Sequence, residues 1–197
     1  MPVRRLLIVF AVLALAALIA VGLVQASRQK TSTLGPTGLT VAQMQERLAG
    51  SPPALAALHA QADRLLPGKP ETVRRRLDEL HGEPIVVTKW ASWCEPCKED
   101  MPLFQRASLA LGKRVAFVGI DSNDSSKSGP LAQLRTVPLP FPSYYDPSGQ
   151  TGTAVTGSAF TPVTVFFNRK GGEFIRQGAF PSLAKLEADI RHYALDD

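Results

Sequence analysis

Cys94 and Cys97 are the only cysteines in the chain and stand three positions apart in Trp93-Cys94-Glu95-Pro96-Cys97. Two thiols at that spacing can close a disulfide ring and open it again, moving two electrons each time. The residues before them, Ile85 to Trp90, read as a strand, and Cys94 to Leu111 reads as a helix that stops at Gly112. A helix start presents unpaired N–H groups and the positive end of the macrodipole, which favours the thiolate. The thiolate is the nucleophile of disulfide exchange. Cys94, at the helix mouth, is expected to be the exposed attacker. Cys97, on the same side of the helix, closes the ring. Pro96 suits the first turn, because the N–H it lacks has no intrahelical partner there. The Glu95 carboxylate opposes the dipole and raises the Cys94 thiol, weakly if it is exposed. Asp100 lies about one turn beyond Cys97, where a carboxylate can move protons to or from that thiol.

Other uses of two cysteines fit less well. A zinc site wants four ligands, and no second cysteine pair or close histidine pair is present; His59, His81 and His192 are scattered and suit surface or packing roles. A haem attachment needs His after the second Cys, where Lys98 stands. A purely structural bridge over so short a loop would restrict the unfolded chain little. No His or Met adjoins the pair as a copper ligand. No metal and no organic cofactor is therefore expected; the redox-active Cys94–Cys97 disulfide serves instead.

The formal charge of +5 over 197 residues raises nucleic acid as a partner, but the charge is unevenly placed. Residues 1–30 carry Arg4, Arg5, Arg28 and Lys30 and no acid, which leaves 18 basic against 17 acidic residues in the rest. Arg74-Arg75-Arg76 is followed at once by Asp78 and Glu79 and reads as a solvated helix face. No nucleic-acid partner is expected. Leu6 to Val24 is a run of 19 residues without a polar side chain, enough for a helix of about 28 Å, close to the thickness of a bilayer core. Arg4 and Arg5 precede it, which keeps the N-terminus in the cytoplasm and sends the remainder outward. Val24-Gln25-Ala26 offers a cleavage alternative, and the length of the run favours retention. Either way the chain beyond about residue 31 is expected outside the cytoplasm, anchored in the membrane or secreted.

The expected organisation is a signal anchor over 1–30 (transmembrane about 6–24), a linker and helical extension over 31–80, and a catalytic domain over 82–195. Thr40 and Gln43 form a capping box for a helix to Ala49. Ser51 is expected to cap a second helix carrying Leu55, Leu58, Ala62 and Leu65, ended by Leu66-Pro67-Gly68. A third runs from Glu71 to Leu80. Met44, Leu48 and the leucines of the second helix could form a stripe for a partner, but core packing is favoured. Val115 to Ile120 is an apolar strand, Ser128 to Thr136 a helix, and the proline-rich 137–147 a connection with at most a short strand around Tyr144. Pro162 to Asn168 and Glu173 to Gln177 are strands joined through Arg169-Lys170-Gly171-Gly172. Ser182 caps a final helix. This order gives an α/β fold, a mixed sheet with helices on both faces.

The run Ile85-Val86-Val87-Thr88-Lys89-Trp90-Ala91-Ser92-Trp93-Cys94-Glu95-Pro96-Cys97-Lys98-Glu99-Asp100-Met101-Pro102 resembles the thioredoxin superfamily, and within it the membrane-anchored, extracytoplasmic TlpA/ResA/DsbE-like branch. The likeness continues through Val118-Gly119-Ile120-Asp121, Thr161-Pro162-Val163-Thr164-Val165-Phe166-Phe167 and Gly171-Gly172. It implies a thioredoxin-like sheet and thiol–disulfide oxidoreductase activity on protein dithiols and disulfides. It also implies a cis Pro162 beside the dithiol, with Thr161 and Pro162 as substrate contacts and Trp93, Glu95 and Pro96 as the surface around Cys94. The Glu-Pro dipeptide is similar to ResA-type reductases of cytochrome c maturation, whose functional Glu falls where Asp100 stands. A reductase would draw electrons from a membrane partner. A DsbE-like oxidase is the alternative direction, and a thiol metallochaperone or binding module the alternative class. Thr88 occupies the place of the buried Asp of cytosolic thioredoxins. Lys89 stands where an apolar residue is usual and is expected either to meet a carboxylate such as Asp121 or to snorkel to the surface.

Overall fold

The computed structural model describes residues 35–197, so the signal-anchor reading of 1–30 lies outside the described residues. Among the described residues no helix is long and apolar enough to cross a membrane. Helix α1, Val41–Arg47, starts at the expected capping box, with Thr40 and Gln43 bonded reciprocally. Met44 on it and Leu48 at its C-cap are 0% and 2% exposed, so that stripe packs into the core.

The second expected helix is shorter than its periodicity implies. Helix α2 spans Pro53–His59 with Pro52 as its cap; Ser51 donates its hydroxyl to the Leu48 carbonyl and caps nothing. Leu65–Pro67 leaves the helical path to form strand β1. A three-residue edge strand shows no alternation in sequence, and Pro67 is tolerated there because an edge N–H need not join the ladder. Helix α3, Pro70–Glu79, follows.

Strand β2, Ile85–Trp90, is buried at all six positions. Helix α4, Glu95–Leu111, takes Cys94 as its N-cap and carries Pro102 within it. Strand β3, Ala116–Ser122, is also wholly buried. Helix α5, Ser128–Thr136, matches the expected range, and strand β4 occupies Ser143–Asp146. Helix α6, Gln150–Thr156, has no counterpart in the sequence reading, because its Thr- and Gly-rich residues are poor helix formers. Strands β5, Val163–Phe167, and β6, Glu173–Gln177, form the hairpin. Helix α7, Leu183–Asp189, is capped by Ser182 and continues into a π turn over Ile190–Ala194.

The strands form one sheet in the order β1-β4-β3-β2-β5-β6. The first four are mutually parallel, and β5 and β6 are antiparallel additions. Side chains alternate across the sheet. Val86, Trp90, Phe117 and Phe166 face the core made by α4 and α7, with Met101, Phe104, Leu186 and Ile190. Ile85, Val87, Val118, Ile120 and Val163 face the other core, into which Leu55, Leu58, Val73 and Leu80 pack. The helices ahead of β2 thus complete one face of the sheet. Because β2 and β3 are parallel, their C-terminal ends meet at one edge, where an open α/β sheet forms its crevice.

Candidate functional site

At that edge Cys94 and Cys97 are joined as a disulfide, with Cα atoms 5.3 Å apart. The chain leaves β2 at Trp90, turns, and enters α4 at Cys94, whose sulfur accepts the Cys97 N–H at 3.3 Å. The helix start therefore points a backbone donor at the first sulfur, as the sequence implied. Its exposure differs from expectation. Cys94 is 4% exposed and Cys97 1%, so the attacking sulfur is screened by the turn before it and by the closed ring. The open surface beside it belongs to Trp93, which is 58% exposed. Glu95 and Pro96 are exposed, and the Glu95 carboxylate pairs with Lys98 at 2.9 Å.

Behind the sulfurs a cleft of about 10 Å³, close to the space of one water, is bordered by Thr88, Trp90, Cys97, Asp100, Leu139 and Pro162. The helix spacing brings Asp100 to this cleft, and the β5 approach brings Pro162. The Thr161–Pro162 bond is cis. Asp100 is 3% exposed; one carboxylate oxygen accepts the Phe180 N–H at 2.8 Å, and the other is buried without a partner. Burial pushes its pKa up to about 7, against the pull of the Phe180 N–H and the Arg176 charge. The hydroxyl of Thr161 is likewise buried and unpartnered.

Residues that the sequence reading did not nominate hold this site together. The Ser92 N–H and hydroxyl donate to the two Asp124 oxygens at 2.7 and 2.6 Å. The Trp93 indole N–H donates to the Asn123 carbonyl at 3.2 Å. The polar run Asp121-Ser122-Asn123-Asp124 at a parallel strand's C-terminal end was the available signal. Phe160, next to Thr161, is 72% exposed and puts a second bare aromatic ring on the cis-proline loop.

Lys89 meets neither of its expected surroundings. It is 0% exposed, and its ammonium donates to the Ser158 carbonyl at 2.6 Å. The register explains why Asp121 is not its partner: Lys89 lies opposite Ile120, and Asp121 opposite Trp90, on the other face of the sheet. Burial pushes the Lys89 pKa down, and the Asp146 carboxylate pulls it back up. His59 is also buried, and desolvation lowers its pKa. Among the described residues no group of three His, Cys, Asp or Glu side chains is placed to hold a metal ion.

A strand–dithiol–helix unit at the crevice of a mixed sheet, with a cis proline beside the second sulfur, defines a thioredoxin-like protein. The chain belongs to the AhpC/TSA family, whose profile matches residues 62–172. It is 28% identical over 120 residues to thiol-disulfide oxidoreductase ResA of Oceanobacillus iheyensis, covering 60% of this chain and 62% of that protein. It is 28% identical over 122 residues to thiol:disulfide interchange protein DsbE of Xylella fastidiosa, covering 58% of this chain and 60% of that one. The chain thus spans about three fifths of the length of these curated relatives. Among solved structures, a Chlorobium tepidum protein assigned as thiol:disulfide interchange protein DsbE superposes with a TM-score of 0.54 at 26% identity, covering 60% of this chain and 84% of that one.

Proposed function

We propose that the chain is a thiol–disulfide oxidoreductase that reduces protein disulfides outside the cytoplasm, held to the membrane by residues 6–24. The observation that carries this reading is the Cys94–Cys97 disulfide at the start of α4, with Pro162 and the Asp100 carboxyl at the cleft behind it. In the reducing direction the Cys94 thiolate attacks one sulfur of a substrate disulfide. The substrate S–S bond breaks, a mixed disulfide forms, and the leaving sulfur takes a proton. Cys97 then gives its proton to Asp100 and attacks the Cys94 sulfur. The second substrate thiol leaves, and two electrons have passed from the dithiol to the substrate. Trp93, Glu95 and Pro96 form the docking surface on one side of the sulfurs, with Thr161 and Pro162 on the other.

The Glu95-Pro96 dipeptide supports the reducing direction and an apocytochrome c substrate, with electrons supplied by a membrane dithiol protein. The deciding measurement is the reduction potential of the pair together with turnover of insulin disulfides. A reductase is expected to lie below about −220 mV, and a value above about −180 mV with net oxidation of dithiols would make the chain an oxidase. Retention of copper with no turnover of either kind would make it a metal-binding module.

Asp100 gives this mechanism a pH signature. Its carboxyl must be ionised to accept the Cys97 proton, and its pKa is raised to about 7. The resolution step in the parent chain is therefore expected to quicken as pH rises through that value. Asp100→Asn removes this inflection and slows resolution by about tenfold at about pH 8. Stopped-flow decay of a preformed mixed disulfide reads both effects.

A further inference from the structure

Lys89 sits on β2 between β3 and β5, in a strand whose other residues are Ile, Val, Val, Thr and Trp. A buried ammonium costs far more than a buried methylene unless it is well bonded. The other positions of the strand are all uncharged, so the charge needs a reason. Its hydrogen bond goes to the Ser158 carbonyl at 2.6 Å, the strong kind of bond that an ionised donor makes.

Ser158 is a knot in the loop between α6 and β5. Its carbonyl also accepts the Thr156 hydroxyl at 3.2 Å, and its own hydroxyl accepts the Phe160 N–H at 3.2 Å. The loop continues directly into exposed Phe160, Thr161 and Pro162, and Pro162 borders the cleft behind Cys97. Helix α6 accommodates the lysine: a Cβ at Gly152 would come within 2.8 Å of the Lys89 side chain and 2.7 Å of the Ser122 hydroxyl. Asp146, which attracts the ammonium, is bound by the Gly152 N–H at 2.8 Å and the Ser148 hydroxyl at 2.9 Å. Strand β2, α6 and the cis-proline loop are thus tied through one side chain.

We propose that Lys89 is a positioning residue that fixes the Ser158–Pro162 loop against the disulfide, and so sets the affinity for extended protein substrates while leaving the chemistry at Cys94 alone. This rests on the oxidoreductase reading above. The test is Lys89→Met in the full chain, which keeps length and volume and removes the donor. Its KM for insulin disulfides is expected to rise about tenfold, with kcat and the reaction of the reduced dithiol with dithiodipyridine within about twofold of the parent. Hydrogen exchange at the Phe160 amide, which donates to the Ser158 hydroxyl, is expected to quicken by about tenfold, with the urea midpoint no lower than the parent's. Unchanged KM and unchanged exchange overturn the proposal. Equal loss towards insulin and dithiodipyridine overturns it too, as does a Met variant that fails to fold, since the ammonium would then serve the core or the dithiol generally. If the parent itself turns over no insulin, the oxidoreductase reading fails, and loop exchange still decides the role of Lys89.

Discussion

Cys94→Ala is expected to abolish protein-disulfide exchange, a loss of at least about a thousandfold in turnover. The first bond to a substrate can form only at a thiolate the substrate can reach. Cys97 is 1% exposed and sits one turn inside α4, behind the N-cap position, so it cannot take over the attack. The loss should be chemical and not structural, because a bridge closing so short a loop constrains the unfolded chain weakly. Circular dichroism of the variant should match the parent, while insulin turnover falls to the rate of the chemical reductant alone. Cys97→Ser should behave in the opposite way. It keeps the attacking sulfur, removes the resolving one, and accumulates mixed disulfides that non-reducing electrophoresis displays. Exchange at the parental rate in Cys94→Ala would overturn the mechanism.

The site was legible where a residue's role depends on its own element. Ile85–Trp90 read as a strand because it follows the Gly82-Glu83-Pro84 break, and Val115–Ile120 because an unbroken apolar stretch suits burial on both faces. The start of α4 followed from Cys94 and Pro96 as cap and first-turn residues. What stayed hidden depends on a second element. Leu65 continues the spacing of Leu55, Leu58 and Ala62, and only its pairing with Ser143 makes it a strand residue. Helix α6 forms despite weak propensity because its Gly152 N–H binds Asp146 and its glycine lets it settle on Lys89. The role of Asp124 needs the parallel register of β2 and β3, which neither strand encodes alone. Lys89 was singled out correctly as unusual, but its partner lies on the loop 69 positions away.

That same register places a carboxyl where pH should reach the fold. Asp121 is 0% exposed, lies opposite Trp90, and neighbours Asp124 and Asp146. Burial and the adjoining Asp124 and Asp146 carboxylates push its pKa up to about 9, and both its oxygens are buried without a hydrogen-bond partner. In neutral solution it is therefore an uncharged acid, buried beside Asp124, whose oxygens hold Ser92. The unfolded chain releases this proton above its ordinary value near 3.8, while the folded chain keeps it to about 9. The folded state then binds more protons than the unfolded one, so this group's contribution to stability falls as pH rises through that window and levels off above it. Asp100, raised to about 7, adds a loss of the same sign over the lower part of the window. Asp121→Asn should remove the larger part, because the amide keeps the size of the carboxyl and never ionises. Urea unfolding is expected to show the variant gaining on the parent as pH rises from about 5 to about 8, by up to about 1.4 kcal/mol per pH unit. Parallel pH profiles for the two proteins would mean that Asp121 is already ionised in the folded state, and that the turn carrying Trp93 and Cys94 is held beside a pair of charges.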